Sequence, residues 1–170
     1  MPNSVSGFWT FSLQTYAQPE IASICLELQE RFGADVNLIL FMLWAASRGR
    51  RLESREIEKI AELVKDWREQ VVIPLRLARR ALKSPPREWP AQETEALRQR
   101  IKADELEAER LQQNAMSLFL AVGQAGQPDS PLAAAKSNLT NYASLLRAAF
   151  PEKHISDLAN TLSAARLSSP

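Results

Sequence analysis

The sequence predicts an all-α fold, a single-domain bundle of about six helices with a long, partly charged fourth helix. Apolar side chains recur at helical spacing along most of the 170 residues, which is the pattern of amphipathic helices. Strand signals are scarce, because no extended run alternates apolar with polar residues and no Asn-Gly or Asp-Gly pair occurs. Three of the five glycines stand where a predicted helix ends. We therefore expect residues 1–170 to form one helical domain.

The first two predicted helices supply the apolar centre of the chain. The first begins at Pro19, because proline suits a first helical position, and ends at Gly33, which favours the left-handed conformation that stops a helix. Asp35 is the predicted N-cap of the second helix. Since residues 36–46 are apolar nearly all round, we expect this helix to lie buried in the core. The run is also too short to span a bilayer, which needs about 20 residues, so we expect no membrane insertion.

The third predicted helix carries an interruption. Ser54 is its expected N-cap, and its apolar stripe continues past Pro74 to Leu82. A proline inside a helix removes one backbone hydrogen bond and clashes with the preceding turn, so we expect a kink or a break just before Pro74. Residues 84–90 hold three prolines and are predicted to form a rigid connector.

Three more helices complete the predicted bundle. The long fourth helix runs from about Ala91 to Val122, and we expect its highly charged first half to project beyond the bundle or to be solvated on one side. Ser130 followed by Pro131 predicts the start of the fifth helix. Pro151 separates the fifth from the sixth, and residues 168–170 are expected to form a frayed tail.

The overall composition narrows the class of partner and the compartment. Lys plus Arg number 21 and Asp plus Glu 20, so the formal net charge is +1. A nearly neutral chain offers no general electrostatic reason to bind nucleic acid, which we therefore do not expect as a partner. Cys25 is the single cysteine, so no intramolecular disulfide can form, and the N-terminal residues lack the pattern of a signal peptide. These features favour a cytoplasmic location.

The basic residues are concentrated between positions 48 and 87. Two interpretations of this block stay open: a site for an anion or an acidic partner, or a solvated face that pairs with the acidic start of the long helix, Glu93 to Glu109. Arg76, Arg80 and Lys83 share a helix face at the i, i+4, i+7 spacing. The candidate interaction residues of the block are Arg48, Arg50, Arg51, Arg76, Arg79, Arg80 and Lys83.

An aromatic segment precedes the first predicted helix. Four aromatic side chains fall between residues 8 and 16. They either fold over the apolar end of the bundle or form an exposed patch that grips a partner, since large aromatic side chains are enriched at interface hot spots. Phe8, Trp9 and Tyr16 are the candidate interaction residues of this segment.

No catalytic or metal-binding constellation is recognisable. His154 is the single histidine, which excludes a His-rich metal site, and Cys25 lies on an apolar stripe where an inert buried thiol is typical. The carboxylate pair Glu105 and Glu109 lacks the Glu-x-x-His partners of a di-iron bundle. No glycine-rich phosphate loop occurs. We therefore expect no catalytic residue, no metal and no cofactor.

Two stretches carry a family resemblance. Residues 8–16 have the pattern F-W-x-F-S-L-x-x-Y, and residues 33–41 have the pattern G-x-D-V-N-L-x-L-F. With these stretches the chain, from Phe8 to about Lys83, resembles a family of uncharacterised proteobacterial proteins that is defined as a domain of unknown function. The resemblance implies a small bacterial cytoplasmic protein, and it implies no reaction.

The functional prediction is a non-enzymatic helical interaction or adaptor protein that uses its basic face to bind a protein partner. The alternative is a small-ligand-binding protein or an unusual enzyme with a polar pocket between helices. In that pocket Arg76, Arg79, Asn37 and Tyr16 would converge. A cavity that gathers these side chains supports the alternative, whereas a solid apolar core removes it.

Overall fold

The computed structural model describes residues 7–122 and 125–164, so the expected tail at 168–170 lies outside the described residues. The prediction of an all-α fold is confirmed, because the described chain is a mostly helical body whose one small sheet pairs two short antiparallel strands. The helices are α1 (Gly7–Tyr16), α2 (Pro19–Phe32), α3 (Val36–Ser47), α4 (Ser54–Trp67), α5 (Ile73–Ala81), α6 (Ala91–Val122), α7 (Pro131–Leu145) and α8 (Glu152–Ala164), and the strands are β1 (Arg50–Arg51) and β2 (Gln127–Pro128).

Helices α4 and α5 form one continuous rod, joined by the π-helical segment Arg68–Val72. This segment is the interruption predicted before Pro74. Because proline has no N–H to donate to the carbonyl four residues earlier, the turn before it departs from the α-helical hydrogen-bond pattern. With the rod counted as one, the described chain has seven helices, one more than the expected number. The additional helix is α1.

The aromatic segment is helical because its side chains pack on the core. Phe8 is fully buried. Its ring stacks on Trp44 with 5.0 Å between centroids and meets Phe41 edge-on at 5.5 Å. The first alternative, folding over the bundle, is therefore confirmed for Phe8, and the expectation that this residue contacts a partner is wrong. Trp9 and Tyr16 are half-buried.

Helix α3 is the centre of the core, as its apolar sequence predicts. Every residue from Asn37 to Ala46 is buried, and α7 packs most extensively against this helix. Asp35 caps the helix as expected, because its Oδ1 accepts a hydrogen bond of 2.8 Å from the backbone N–H of Asn37. On α7, Ala134 and Ala135 are fully buried in the same core.

Of the predicted N-caps at α7 and α4, the first is confirmed and the second is wrong. Ser130 caps α7 as expected, since its hydroxyl accepts from the N–H of Ala133. At α4 the N-cap is Glu53 rather than Ser54, and the backbone N–H of Glu53 donates to Glu56 Oε2 at 2.8 Å. The prediction of Ser54 is wrong by one residue, because Glu53 takes the capping role. Its side chain accepts from the backbone N–H of Glu56 while the side chain of Glu56 accepts from the backbone N–H of Glu53, which is a capping box.

The second half of the rod and the first half of α6 form a two-helix arm. None of residues 73–104, all of which are described, is buried, and residues 82–90 connect the two helices without forming a helix or strand of their own. The expectation that the charged half of the long helix is solvated is confirmed. From Glu105 onward, buried residues recur along α6, so the arm joins the core at that point.

Candidate functional site

A cleft of about 390 Å³ opens where the arm meets the body. Helices α1, α2, α3, α5 and α6 form its walls, and the volume falls in the range of small-molecule sites. All four side chains proposed from sequence for a polar pocket line this cleft. The complete lining consists of Trp9, Ser12, Leu13, Tyr16, Leu26, Gln29, Val36, Asn37, Leu40, Arg76, Arg79, Arg80, Lys102, Glu105, Leu106, Glu109 and Gln113.

Helical spacing explains why these side chains point the same way. On α6 the cleft-lining residues between Lys102 and Gln113 occupy positions i, i+3, i+4, i+7 and i+11, which places them on one face. On α5 the three cleft arginines occupy positions i, i+3 and i+4. Since α5 and α6 pack side by side, the basic face of one helix meets the acidic face of the other.

An ion-pair network ties the arm to the body. Arg76 Nε donates to Glu105 Oε1 at 3.0 Å, and Arg76 Nη2 donates to Glu109 Oε1 at 2.9 Å. Its third nitrogen, Nη1, donates to Gln29 Oε1 on α2 at 3.0 Å. Arg79 adds a second ion pair to Glu105. The interpretation in which the basic block pairs with the acidic part of the long helix is therefore confirmed for Arg76 and Arg79.

The two carboxylates of this network have shifted pKa values of opposite sign. Burial raises the pKa of Glu105, but hydrogen bonds from Arg79 and Arg76 outweigh that effect and hold it below its usual range. For Glu109 burial is the largest effect and its pKa is raised, because Arg76 opposes burial only in part. The pKa of Tyr16 is raised by burial and by the nearby Cys25 and Glu109. The cleft thus holds one carboxylate that is strongly kept charged and one that resists ionisation.

A second polar cluster lies buried beside the cleft. Asp35 Oδ2 accepts from Gln112 Nε2 at 2.8 Å and pairs with Arg68 Nε at 3.5 Å. The hydroxyl of Tyr142 accepts from the backbone N–H of Asp35 at 2.8 Å, and burial raises the pKa of this tyrosine. Since Arg68 opens the π-helical segment, the interruption in the rod helps to position a cation on the cap of α3. We assign this cluster a structural role.

Two buried side chains at the cleft wall have unused hydrogen-bonding capacity. Gln113 Nε2 donates to Asn37 Oδ1 at 2.8 Å, whereas Gln113 Oε1 has no partner among the described residues. The buried hydroxyl of Ser12 likewise has none. Buried polar groups in native proteins are nearly always hydrogen-bonded, and the same lack of a described partner holds for Gln112 Oε1, Asn114 Oδ1 and His154 Nδ1, which do not line the cleft.

The structure divides the basic block between two places. Arg76, Arg79 and Arg80 line the cleft, whereas Arg48 and Arg50 line a separate depression together with Leu120. At 1.5 Å per helical residue, Glu105 and Leu120 lie roughly 22 Å apart along α6. The basic residues named from sequence therefore do not form one continuous face.

The first part of the block has local partners of its own. The guanidinium of Arg48 lies 5.3 Å from the ring centroid of Trp44. Arg51 pairs with Asp129 at 3.4 Å, and the carbonyl of Arg50 accepts from Asn138 Nδ2 at 3.1 Å. Lys83, in the second part, is exposed and does not line the cleft.

The remaining candidates for chemistry are accounted for by packing. Cys25 is fully buried, and burial raises the pKa of its thiol to about 12, so the thiolate that nucleophilic chemistry requires is strongly disfavoured. His154 Nε2 lies 2.9 Å from Glu27 Oε2, which links α8 to α2. Across the described ranges, no cluster of three or more His, Cys, Asp or Glu side chains could hold a metal ion.

Sequence reasoning missed several residues of the cleft. Lys102, Glu109 and Gln113 are not among the residues selected from sequence, and neither is Ser12. The i, i+4 spacing of Glu105 and Glu109 was a usable signal, because both lie in the acidic part of the long helix that was expected to pair with the basic block. Their contact with Arg76 joins residues 29 and 33 positions apart, which a helical pattern alone does not specify.

Comparison with known proteins places the chain in a family. A family model described as a protein of unknown function, DUF2390, matches residues 7–116. The chain belongs to the DUF2390 family. The matched range extends further than the resemblance noted from sequence and includes every cleft-lining residue, from Trp9 to Gln113. Searches of curated proteins and of solved structures found no match to this DUF2390 chain.

None of the helices in the described ranges of this DUF2390 protein has both the length and the apolar character needed to cross a membrane.

Proposed function

We propose that this protein binds a small amphipathic anion in the cleft. Such a molecule carries one acidic group, a carboxylate, phosphate or sulfonate, on a hydrocarbon body. The observation that supports this function is the presence of four basic and three exposed leucine side chains on the walls of one cleft of about 390 Å³. The cleft also lies wholly within the range matched by the family model.

The acidic group of the ligand would bind near Arg80 and Lys102. Arg76 and Arg79 are already paired with Glu105 and Glu109, so most of their charge is compensated. Arg80 and Lys102 are exposed, and neither forms an ion pair with another described residue. They come from α5 and α6, the two helices that flank the cleft, and so can approach one oxyanion from two sides.

The hydrocarbon body would cover the apolar part of the cleft. Leu13, Leu26 and Leu106 are 51%, 42% and 49% exposed, although large apolar side chains usually avoid that degree of exposure when they cluster. They come from three different helices around the same cleft. A hydrocarbon chain placed between them would remove apolar surface from water, which favours binding by roughly 25 cal/mol for each Å² buried.

Isothermal titration calorimetry with hexanesulfonate, hexyl phosphate, hexanoate and neutral hexanol tests the proposal. We expect the three anions to bind and hexanol to bind at least about ten-fold more weakly, because a charge-assisted contact is lost. Arg80→Glu is expected to weaken anion binding at least about ten-fold through repulsion at the site.

Lys83→Glu is the matched control, because it changes the net charge equally at a position on the same arm outside the cleft. Its affinity should stay within about two-fold of wild type, because Lys83 does not line the cleft and its charge is exposed to solvent, which screens it. If Lys83→Glu weakens binding as much as Arg80→Glu, or if no anion binds, the proposal is wrong.

A protein-binding role is the second candidate, and the arm is the observation that favours it. Within residues 73–104 the large apolar side chains of Leu77 and Trp89 are each 60% exposed, and Arg80 and Lys83 are exposed basic residues of the same arm. This surface fits an acidic partner segment that also has apolar residues. A role for Arg48, Arg50 and Arg51 in partner binding stays a prediction.

Capture of partners from a bacterial lysate tests the second candidate. Leu77→Asp combined with Trp89→Ala should abolish recovery of a specific partner that the wild-type protein retains. Leu132→Asp, on the exposed side of α7, serves as the control for the added charge. Equal recovery by all three proteins, or recovery of no specific partner by wild type, would refute a binding role for the arm.

A further inference from the structure

Glu109 has an unusual position in the cleft. One oxygen, Oε1, accepts a hydrogen bond of 2.9 Å from Arg76 Nη2. The other, Oε2, has no hydrogen-bond partner among the described residues, and the side chain keeps 23% exposure at the cleft surface. An acidic side chain with a free oxygen therefore lies inside the site that we propose to bind an anion.

A charged carboxylate at this place would repel the ligand, but a neutral carboxyl would attract it. A protonated carboxyl group has an O–H that donates a hydrogen bond to an oxyanion, whereas the ionised form can only accept. Two acidic groups held in contact cannot both remain ionised without a large electrostatic cost, so they bind a proton between them.

We propose that Glu109 binds the acidic group of the ligand as a neutral carboxyl, so that the cleft takes up one proton with each anion. This inference rests on the proposed binding of an amphipathic anion. In this proposal Glu109 is the residue that responds to the charge of the ligand. The acidic group of the ligand must be a stronger acid than Glu109, so that the ligand stays ionised while Glu109 holds the proton.

The surroundings of Glu109 favour its neutral form. Arg76 pairs with Glu109 from α5 but also pairs with Glu105, the neighbouring acid on α6, and Arg79 forms its ion pair with Glu105. Negative charge on Asp35, before α3, adds to the repulsion, and burial is the largest effect on the raised pKa of Glu109.

Other groups around Glu109 contribute less charge. Tyr16 contacts the site from α1 and is neutral below its raised pKa, while Gln29 of α2 is uncharged. Cys25, behind Tyr16, stays a thiol. Arg80 and Lys102 also line the cleft, and we have assigned them to the ligand.

The sign of the pH effect follows from this arrangement. Below the pKa of Glu109 the carboxyl is protonated and donates to the anion, so binding is tight. Above that pKa the anion must either force a proton onto Glu109 or meet a second negative charge, so binding weakens. An anion that does not titrate in this range isolates the contribution of the protein.

Calorimetric titration of the full chain with hexanesulfonate between pH 5 and pH 8 tests the inference, because a sulfonate stays ionised throughout. For wild type we expect affinity to fall at least about five-fold over this range, with proton uptake visible as a dependence of the binding heat on the ionisation enthalpy of the buffer. Glu109→Gln should bind with an affinity that is independent of pH and that wild type approaches as the pH falls, because the amide donates a hydrogen bond but does not titrate.

Three further results complete the test. Glu109→Leu removes the donor and should bind weakly at every pH. His154→Gln should keep the full pH dependence of wild type, since His154 pairs with Glu27 and does not line the cleft. If Glu109→Gln does not fold, the pH dependence of Glu109→Leu decides the matter, because a titration that this variant retains belongs to another group.

The outcomes separate this inference from the proposed function. If wild type binds no sulfonate at any pH, the proposed function fails, and the inference fails with it. If wild type binds without pH dependence or proton uptake, the function stands and the role of Glu109 is overturned. A pH dependence retained by Glu109→Gln would also overturn that role, because another group would then be titrating.

Discussion

Replacing Asn138 by alanine is expected to lower the free energy of unfolding by about 3–5 kcal/mol. This fully buried amide forms three hydrogen bonds with the backbone. Its Oδ1 accepts from the N–H of Leu52 at 2.7 Å, and its Nδ2 donates to the carbonyls of Met42 and Arg50, each at 3.1 Å. Alanine would leave the buried N–H of Leu52 without its partner, which costs about 1–3 kcal/mol, and would remove one hydrogen bond from each of the two carbonyls, which adds roughly 0.5–1.5 kcal/mol apiece. The contacts join α7 to the middle of α3, to β1 and to the residue that follows β1.

Urea denaturation followed by circular dichroism measures this effect. Asn160→Ala is the matched control, because the same amide is removed from an exposed position on α8. We expect the control to unfold at nearly the same urea concentration as wild type. A loss of less than about 1 kcal/mol for Asn138→Ala would show that the three backbone groups find other partners.

Glu105→Ala is expected to lower the free energy of unfolding at pH 7 by about 2–3 kcal/mol. The carboxylate is 8% exposed and pairs with two arginines, so its removal leaves two partly buried cations without their main partner. Breaking a fully buried pair costs about 3–5 kcal/mol, and the partial exposure of Arg76 and Arg79 reduces that value. The arm should loosen first, because it contains no buried residues of its own.

The effect of Glu105→Ala should depend on pH with a defined sign. Because the arginines hold the pKa of Glu105 below its usual range, the stabilisation is present above about pH 4.5 and is lost as pH falls through the folded-state pKa. The gap in unfolding free energy between wild type and variant should therefore narrow towards pH 3. Glu107→Ala removes an exposed partner of Arg110 on the same helix, and its free energy of unfolding should match that of wild type at both pH 7 and pH 3. A gap that widens on acidification would contradict the assigned role.

Local patterns were sufficient to predict most helices. The caps at Asp35 and Ser130 and the interruption before Pro74 all follow from contacts within a few residues, so they are visible in the order of amino acids. Helix α1 was not predicted, because its four aromatic side chains were interpreted as a segment that folds over the bundle or grips a partner. This helix is held in place by Phe8, whose ring packs against α3. A local sequence pattern cannot predict such a contact, because the residues it joins are far apart along the chain.

For the cleft, the sequence predicted several of the side chains that line it, but not all of the residues with which they pair. The tendency of Arg76 and Arg79 to meet the acidic part of α6 followed from opposite charges on two neighbouring helices. The separate location of Arg48 and Arg50 could not be predicted in the same way. It depends on where the other helices pack along α6, which the sequence pattern does not specify. Glu109 was visible as half of a spaced pair, yet its raised pKa arises from burial that only the packed helices create.

The order of amino acids alone established the helical class, the buried character of α3 and the absence of a familiar catalytic motif, because periodicity and composition act over one or two turns. Packing of distant segments decided which polar groups share a site. Asp35 meets Gln112 and Gln113 meets Asn37 across 77 and 76 positions of the chain. Such contacts depend on the angles and distances at which whole helices pack, and these are set by all of the side chains in the core together.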